Sequence, residues 1–227
     1  GVSMEECISL ARRLGERMWP ELGVPIFFYE AAASHPTRKH LGDIRKGEYE
    51  GLKKKLKDSR WKPDVGEALC NERSGATVIG ARKVLIAYNV NLDTRNVASA
   101  MEIAARIRTK GAEGNRLAAC RAIGWGMPKF GCAQVSMNLF DYEMTSPLDA
   151  YRACEREAAS LGVKVTGSEL VGLIPLEAMR LVGKQLGKEG CDTELISAAT
   201  EALGLSQFNL FKPSERVIEY LLSALSF

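Results

Sequence analysis

Gly66, Gly75 and Gly80 stand among charged side chains in GEALCNERSGATVIGARK, residues 66–83. The segment runs directly into VLIAYNVNL, which reads as a buried strand. Glycines at the mouth of a strand let backbone approach another group closely, and phosphate-binding loops are built this way. Gly75 and Gly80 have the phosphate-loop separation, but Ala81 stands where such a loop needs lysine and Arg82 where it needs serine or threonine. With no ammonium for the phosphates and no hydroxyl for magnesium, the segment does not read as a nucleotide site. Two readings stay open: a tight turn between two strands, or a loop whose backbone meets some other ligand.

The remaining reactive residues exclude several classes of function. The six cysteines, Cys7, Cys70, Cys120, Cys132, Cys154 and Cys191, form no C-x-x-C pair, so neither a metal site nor a redox motif is expected. Scattered thiols suit a reducing compartment, and the expected localisation is cytoplasmic. No apolar run reaches membrane-spanning length and no leader opens the chain, so no membrane partner is expected. The net charge is +3, with acidic and basic residues interspersed. The one basic run, Lys53-Lys54-Lys55 with Lys57, lacks interleaved aromatics and reads as a solvated helix face, so no nucleic-acid partner is expected. At 227 residues and 46% hydrophobic, the chain can form one large domain or two small ones.

The elements that must position these residues follow from periodicity. Ser3 and Glu6 form a capping box ahead of a helix ending near Pro20, and VPIFFYE (24–30) reads as a strand. Residues 31–40 read as loop, IRKGEYEGLKKKLKD as a helix weakened by Gly47 and Gly51, and KPDVG as loop. Then come a strand at 83–92 and a helix capped by Asp93 or Thr94 and ending near Gly111. Strands at 116–125 and 132–140 follow, then a helix capped by Ser146 with Pro147 at its first position, then a strand at 163–167. Further helices are expected near 175–189, 192–203 and 214–225. Strand, helix, strand, strand, helix, strand is the ferredoxin-like order, an antiparallel sheet with both helices on one face. The boundary between two units falls near residue 83. The first unit supplies two helical stretches and two strands, less than a full unit, which would leave an unpaired edge and a bare apolar face.

Five segments carry a family resemblance: GEYEGLKKKL, GATVIGARKVLIAYNVNL, AQVSMNLFDYEMT, GSELVGLIP and ERVIEYL. Together they resemble the formiminotransferase domain, the folate-dependent half of formiminotransferase-cyclodeaminase, and the likeness covers the whole chain in order. It implies an α+β fold of two ferredoxin-like (βαββαβ-type) subdomains with a ligand tunnel between them. Residues 1–83 would be the C-terminal portion of the N-subdomain, incomplete in this chain, and 84–227 the C-subdomain. The implied reaction moves a formimino group from N-formimino-L-glutamate to tetrahydrofolate, the co-substrate, in histidine degradation. Two rival readings are formyl transfer from N-formylglutamate and a shortened, non-enzymatic folate-binding or scaffold protein.

The family's folate-contacting segment maps onto Gly66, Glu67, Ala68, Leu69, Cys70, Asn71, Glu72, Arg73, Ser74 and Gly75. Arg82 and Lys83 add positive charge for folate carboxylates. Relatives are apolar and proline-containing in the middle of this segment, whereas here it is charged; Glu72 is therefore expected to point outward or to pair with Arg73.

Formimino transfer needs a group that takes a proton from the folate nitrogen and returns one to the departing glutamate nitrogen, which suits histidine. The family's histidine lies in an HPRxG-like motif that would precede Gly1. The chain opens GVSMEEC without an initiator methionine, so it is expected to be a fragment that does not turn over alone, with the leading segment and a second copy of the chain as its candidate protein partners. SHPTRKH places His35 before Pro36, but after a strand where relatives have a loop, so neither His35 nor His40 is expected to be catalytic. Gln134, Ser136 and Asn138 alternate along one strand face and either line the tunnel or face water. Ser168 and Glu169 sit at an expected strand end, where ligand contacts are common, or Ser168 is only a cap. Asp141 and Glu143 would hold the amidinium end of the substrate or serve as turn acids.

Overall fold

The protein is described here by a computed structural model covering residues 2–108 and 117–225. The chain divides into two compact units, Gly1–Lys83 and Val84–Phe227.

The first unit opens with α1 (Met4–Leu22) behind the Ser3 capping box: Ser3 Oγ accepts the Glu6 N–H, and the Glu6 carboxylate accepts the Ser3 N–H. The helix continues through Pro20 and stops at Gly23, whose φ of 62° makes it the left-handed cap. Strands β1 (Ile26–Glu30) and β2 (Thr77–Ala81) pair in parallel. On its other edge β1 is bonded to the 64–65 segment, Ile26 N–H to the Val65 carbonyl at 3.0 Å and Asp64 N–H to the Ile26 carbonyl at 2.9 Å. Successive β1 side chains point to opposite faces. Ile26 and Phe28 join Ala11 and Ala32 in one buried cluster, and Phe27 joins Ile44 and Leu56 in another. Among the described residues the strand pair has a buried cluster on each side, so neither of its faces is bare, while Leu10 and Leu14 of α1 are exposed. The single helix expected over 44–58 is two, α2 (Leu41–Arg45) and α3 (Glu48–Lys55), separated where Gly47 takes φ 91°.

A buried ion pair closes this unit. Arg38 reaches Asp64 at 2.6 Å, with both side chains 7% exposed. The Asp64 carboxylate also accepts the Phe28 N–H at 2.7 Å, while Arg38 donates to the Arg60 and Lys62 carbonyls and lies over the Phe27 ring. One charge pair thus ties the 58–65 loop to β1.

The second unit has the expected order. Strands β3 (Ile86–Leu92), β4 (Cys120–Met127), β5 (Cys132–Leu139) and β6 (Val165–Val171) form one antiparallel sheet in the spatial order β4-β5-β3-β6. Helices α4 (Val97–Ile107) and α5 (Pro147–Ser160) contribute Ala100, Ile103, Ile107, Ala150, Ala153 and Cys154 to the single core beneath it. Tyr88 lies in that core; its hydroxyl faces Ser168 but makes no hydrogen bond of ordinary geometry, and burial pushes the phenol well above its usual pKa. Helices α6 (Leu176–Gln185), α7 (Asp192–Ala202), α8 (Pro213–Arg216) and α9 (Ile218–Ala224) complete the unit.

Local departures have local causes. The α4 cap is Asn96, whose Oδ1 accepts the Ala98 N–H at 3.0 Å, rather than Asp93 or Thr94; the expected end near Gly111 lies outside the described residues. The last helix breaks at Val217, which turns extended, buries completely and bridges to Ile174. Strand β6 runs on to Val171, past the expected end at Gly167, so Ser168 and Glu169 sit mid-strand. No helix among the described residues is long and apolar enough to cross a membrane.

Candidate functional site

Two groups of candidate residues can be built up from the chain, one in each unit. In the first, the 66–83 segment contains a tight turn, but not one between two strands. Asn71 and Gly75 bond to each other in both directions, N–H to carbonyl, at 3.2 and 2.7 Å. The Asn71 side chain organises the turn: its Oδ1 accepts the Arg73 and Ser74 N–H groups, both at 3.0 Å, and its Nδ2 donates to the Gly23 carbonyl. Those two N–H groups are thus committed within the protein and are not offered to an anion. The glycines meet aromatic rings of their own unit. A Cβ on Gly66 would lie 2.5 Å from the Trp19 ring, one on Gly75 3.0 Å from Tyr49, and one on Gly80 2.5 Å from Tyr29.

The other residues of the segment divide by exposure. Glu67, Ala68 and Leu69 are exposed, Leu69 at 65%, while Cys70 packs beside Phe27. Glu72 points outward as expected, but its partner is Lys53, at 3.0 Å, rather than Arg73; that hydrogen bond raises the lysine pKa. Tyr49 Oη holds the Glu72 carbonyl at 2.6 Å. Arg73 and Arg82 are both exposed, and Arg82 donates one N–H to the Lys83 carbonyl. A cavity of about 230 Å³ opens beside the turn, lined by Arg45, Tyr49, Leu52, Ser74, Gly75 and Val78 among others. Sites that enclose a drug-sized ligand run to roughly 300–1,000 Å³, so this cavity is below that range.

Both histidines lie in the first unit, near short helical turns. His35 caps a short turn at Pro36–Arg38, its Nδ1 facing the Thr37 hydroxyl at 2.9 Å, and His40 precedes α2; both are exposed.

The second group lies on the sheet face of the second unit that points away from α4 and α5. Gln134 is fully buried there and does not face water. Its Oε1 accepts the Trp125 indole N–H at 3.0 Å, and its Nε2 donates to Asn91 Oδ1 at 2.6 Å and to Glu169 Oε2 at 3.3 Å. Asn91 Nδ2 donates to Gln207 Oε1 at 2.7 Å, and Gln207 Nε2 donates to Thr166 at 2.9 Å. Asn89, opposite Glu169 in the pairing, reaches the same carboxylate oxygen at 3.5 Å. Burial raises the Cys132 thiol pKa, and the Glu169 charge adds to the shift. Ser136 is half-buried and Asn138 exposed on this strand. Ser168 points the other way, donating to the Leu203 carbonyl. Asp141 accepts the Glu143 N–H through its carboxylate and the Met144 and Thr145 N–H groups through its carbonyl, the placement of a turn acid.

Asn89 and Asn91 were not anticipated as site residues, because YNVNL looks like an ordinary buried strand. Two asparagines on alternate positions of a buried strand were the available signal: both must find partners on the same face. Gln207 and Trp125 had no such signal.

Comparison with known proteins gives a consistent picture. Residues 87–223 match the family described as "Formiminotransferase domain", and residues 1–82 match "Formiminotransferase domain, N-terminal subdomain". A formimidoyltransferase-cyclodeaminase of Dictyostelium discoideum is 44% identical over 97% of this chain and 42% of its own length. The rat protein of the same name is 41% identical over the same shares. A glutamate formimidoyltransferase of Streptococcus pyogenes serotype M1 is 40% identical over 78% of this chain and 58% of its own length. The chain thus spans 42% of the length of the first two of these relatives.

Proposed function

The chain belongs to the formiminotransferase domain family, and on that premise we propose that the protein works in folate-dependent transfer of a formimino group from N-formimino-L-glutamate to tetrahydrofolate, in histidine degradation. The observation that carries this reading is the unbroken match: the two family descriptions follow each other along residues 1–82 and 87–223. No disulfide joins the six cysteines among the described residues, which suits a protein of the reducing cytosol.

The chemistry joins the folate N5 to the amidine carbon as N5 gives up its proton, forms a tetrahedral centre, and breaks the carbon's bond to the glutamate nitrogen, which leaves as it gains a proton. Residues of this chain serve binding and orientation in that sequence. The Gly66–Gly75 segment with Arg82 is the folate site: the exposed run Glu67–Leu69 and the cavity beside Gly75 take the flat ring, and Arg73 and Arg82 take the carboxylates of the tail. Neither His35 nor His40 is assigned to the proton transfers, since both sit exposed beside short helical turns.

The test is made on the full-length natural protein. Turnover of formiminoglutamate with tetrahydrofolate is expected, and its absence would overturn the reading. An Arg73→Ala/Arg82→Ala double variant, titrated with a reduced folate, should bind more weakly by about 1.5–3 kcal/mol, the usual loss for charge-assisted contacts. Unchanged folate affinity would remove both arginines from the site and leave the reaction itself standing.

A further inference from the structure

We infer that Glu169 is the residue that reads the charge of the transferred group, receiving an amidinium cation on the face of the second unit's sheet that points away from α4 and α5. This rests on the proposed transfer reaction and adds to it a recognition residue and a basis for choosing formimino over formyl.

The argument begins at Trp125, whose indole nitrogen can only donate. Gln134 must therefore turn its oxygen toward Trp125 and its NH₂ toward Asn91 and Glu169. Asn91 in turn must offer its oxygen to Gln134 and its NH₂ to Gln207, which passes the same sense on to Thr166. One donor-only group thus fixes the orientation of three amides, and the orientation brings N–H groups to one side of the Glu169 carboxylate. The contacts from Gln134 and Asn89, at 3.3 and 3.5 Å, both fall on Oε2. They aim the carboxylate without bringing a cation to it. Among the described residues no cationic side chain pairs with Glu169, although it is half-buried. Removing charge from water is costly unless it is compensated.

The chemistry of the missing partner follows from the shape of the opening. A cavity of about 40 Å³ is lined by Ser168, Glu169, Leu170, Phe208, Asn209 and Arg216 among others. One water needs roughly 10–15 Å³ of such space, so the cavity suits a head of a few heavy atoms rather than a whole amino acid. A formimino group on nitrogen is such a head. It is a planar N–C–N cation with N–H bonds in its plane, able to face a carboxylate two-pronged as a guanidinium does. A formyl group has the same size but no charge and offers one N–H. Arg216 lines the same cavity; its guanidinium donates to the Gly172 carbonyl and makes no ion pair with Glu169 among the described residues.

Two measurements on the full-length natural protein decide the matter. In steady-state assays Glu169→Gln should raise KM for formiminoglutamate at least tenfold, leave KM for tetrahydrofolate within twofold, and reduce the preference over formylglutamate by a similar factor. Equal losses with both donors would assign Glu169 a purely structural role and overturn the inference, as would unchanged kinetics. Formamidinium chloride is the second probe. It should move the Trp125 indole N–H resonance in the wild type and not in Glu169→Gln, since Gln134 links the two. No shift in the wild type, or the same shift in the variant, overturns the inference even where turnover is observed. A wild type that responds to formamidinium yet transfers nothing would instead sink the parent reading and leave Glu169 as an amidinium site.

Discussion

In the second unit a four-stranded sheet rests on α4 and α5 through one continuous apolar core running from Ile86 to Val217. The first unit divides its apolar residues between two small clusters and fastens its long 58–65 loop with the buried Arg38–Asp64 pair. The difference decides where each unit can keep polar residues. A large core stabilises a sheet strongly enough to support a buried amide network on its far face, where Gln134 and Asn91 are fully enclosed. The small unit has less apolar area and already holds the buried Arg38–Asp64 pair. Its candidate binding residues accordingly sit on an exposed turn held by side-chain-to-backbone bonds, chiefly those of Asn71.

The largest expected effect breaks this contrast from the first unit's side. Asp64→Ala leaves the Arg38 guanidinium buried without its anion and removes the acceptor of the Phe28 N–H. Stripping one partner from a buried pair typically costs about 3–5 kcal/mol. Hydrogen exchange should show lost protection at β1, β2 and α1 while β3–β6 keep theirs. Equal loss in both units would mean that their stabilities are coupled and that the contrast is false.

The second unit should be most vulnerable where its helix touches its sheet. Gly124 in β4 faces α4 so closely that an added Cβ would fall inside the backbone at Ala100 and Met101, which has no side-chain freedom with which to yield. Gly124→Ala should therefore destabilise by about 1–3 kcal/mol, the usual cost of overpacking. Urea denaturation followed at the buried Tyr88 would read the change. A stability within error of the wild type would show that α4 can ride outward without loss.

The same contrast explains what was legible in the sequence. The second unit's βαββαβ order could be read because its strands and helices are long and amphipathic, and its capping box at Ser146 and Asp149 is local. Misreadings fell where a distant residue overrode local preference. Gly167 looked like a terminator, yet it lies within β6 at φ 157° because Gln207 packs where its side chain would be. Val217 looked helical, but it is drawn into the core beside Ile174. In the first unit Glu72 finds Lys53 in α3, and Gly66 and Gly75 find Trp19 and Tyr49, none of them close in sequence. The second unit's network also hid in pairing: Trp125 sits opposite Gln134, a relation only the β4–β5 register supplies.

The smallest expected effect concerns His35, the residue of the first unit whose type most invites a catalytic role. Its ring caps a three-residue turn, Nδ1 lying 2.9 Å from the Thr37 hydroxyl and 3.3 Å from the Thr37 N–H, at an exposed site. Loss of a helix cap costs about 0.5–2 kcal/mol, and a single long contact to a short turn belongs at the low end. The adjoining Arg38 stays anchored by Asp64 and by the Arg60 and Lys62 carbonyls, so the turn has other supports. His35→Ala should then leave turnover of the full-length protein within a few-fold of wild type and lower stability by under about 1 kcal/mol. Removal of a general base typically lowers rate about a hundred-fold or more. A fall of that size in kcat, with folate affinity and stability preserved, would place proton transfer at this turn and make the first unit a chemical partner of the sheet rather than a binding surface.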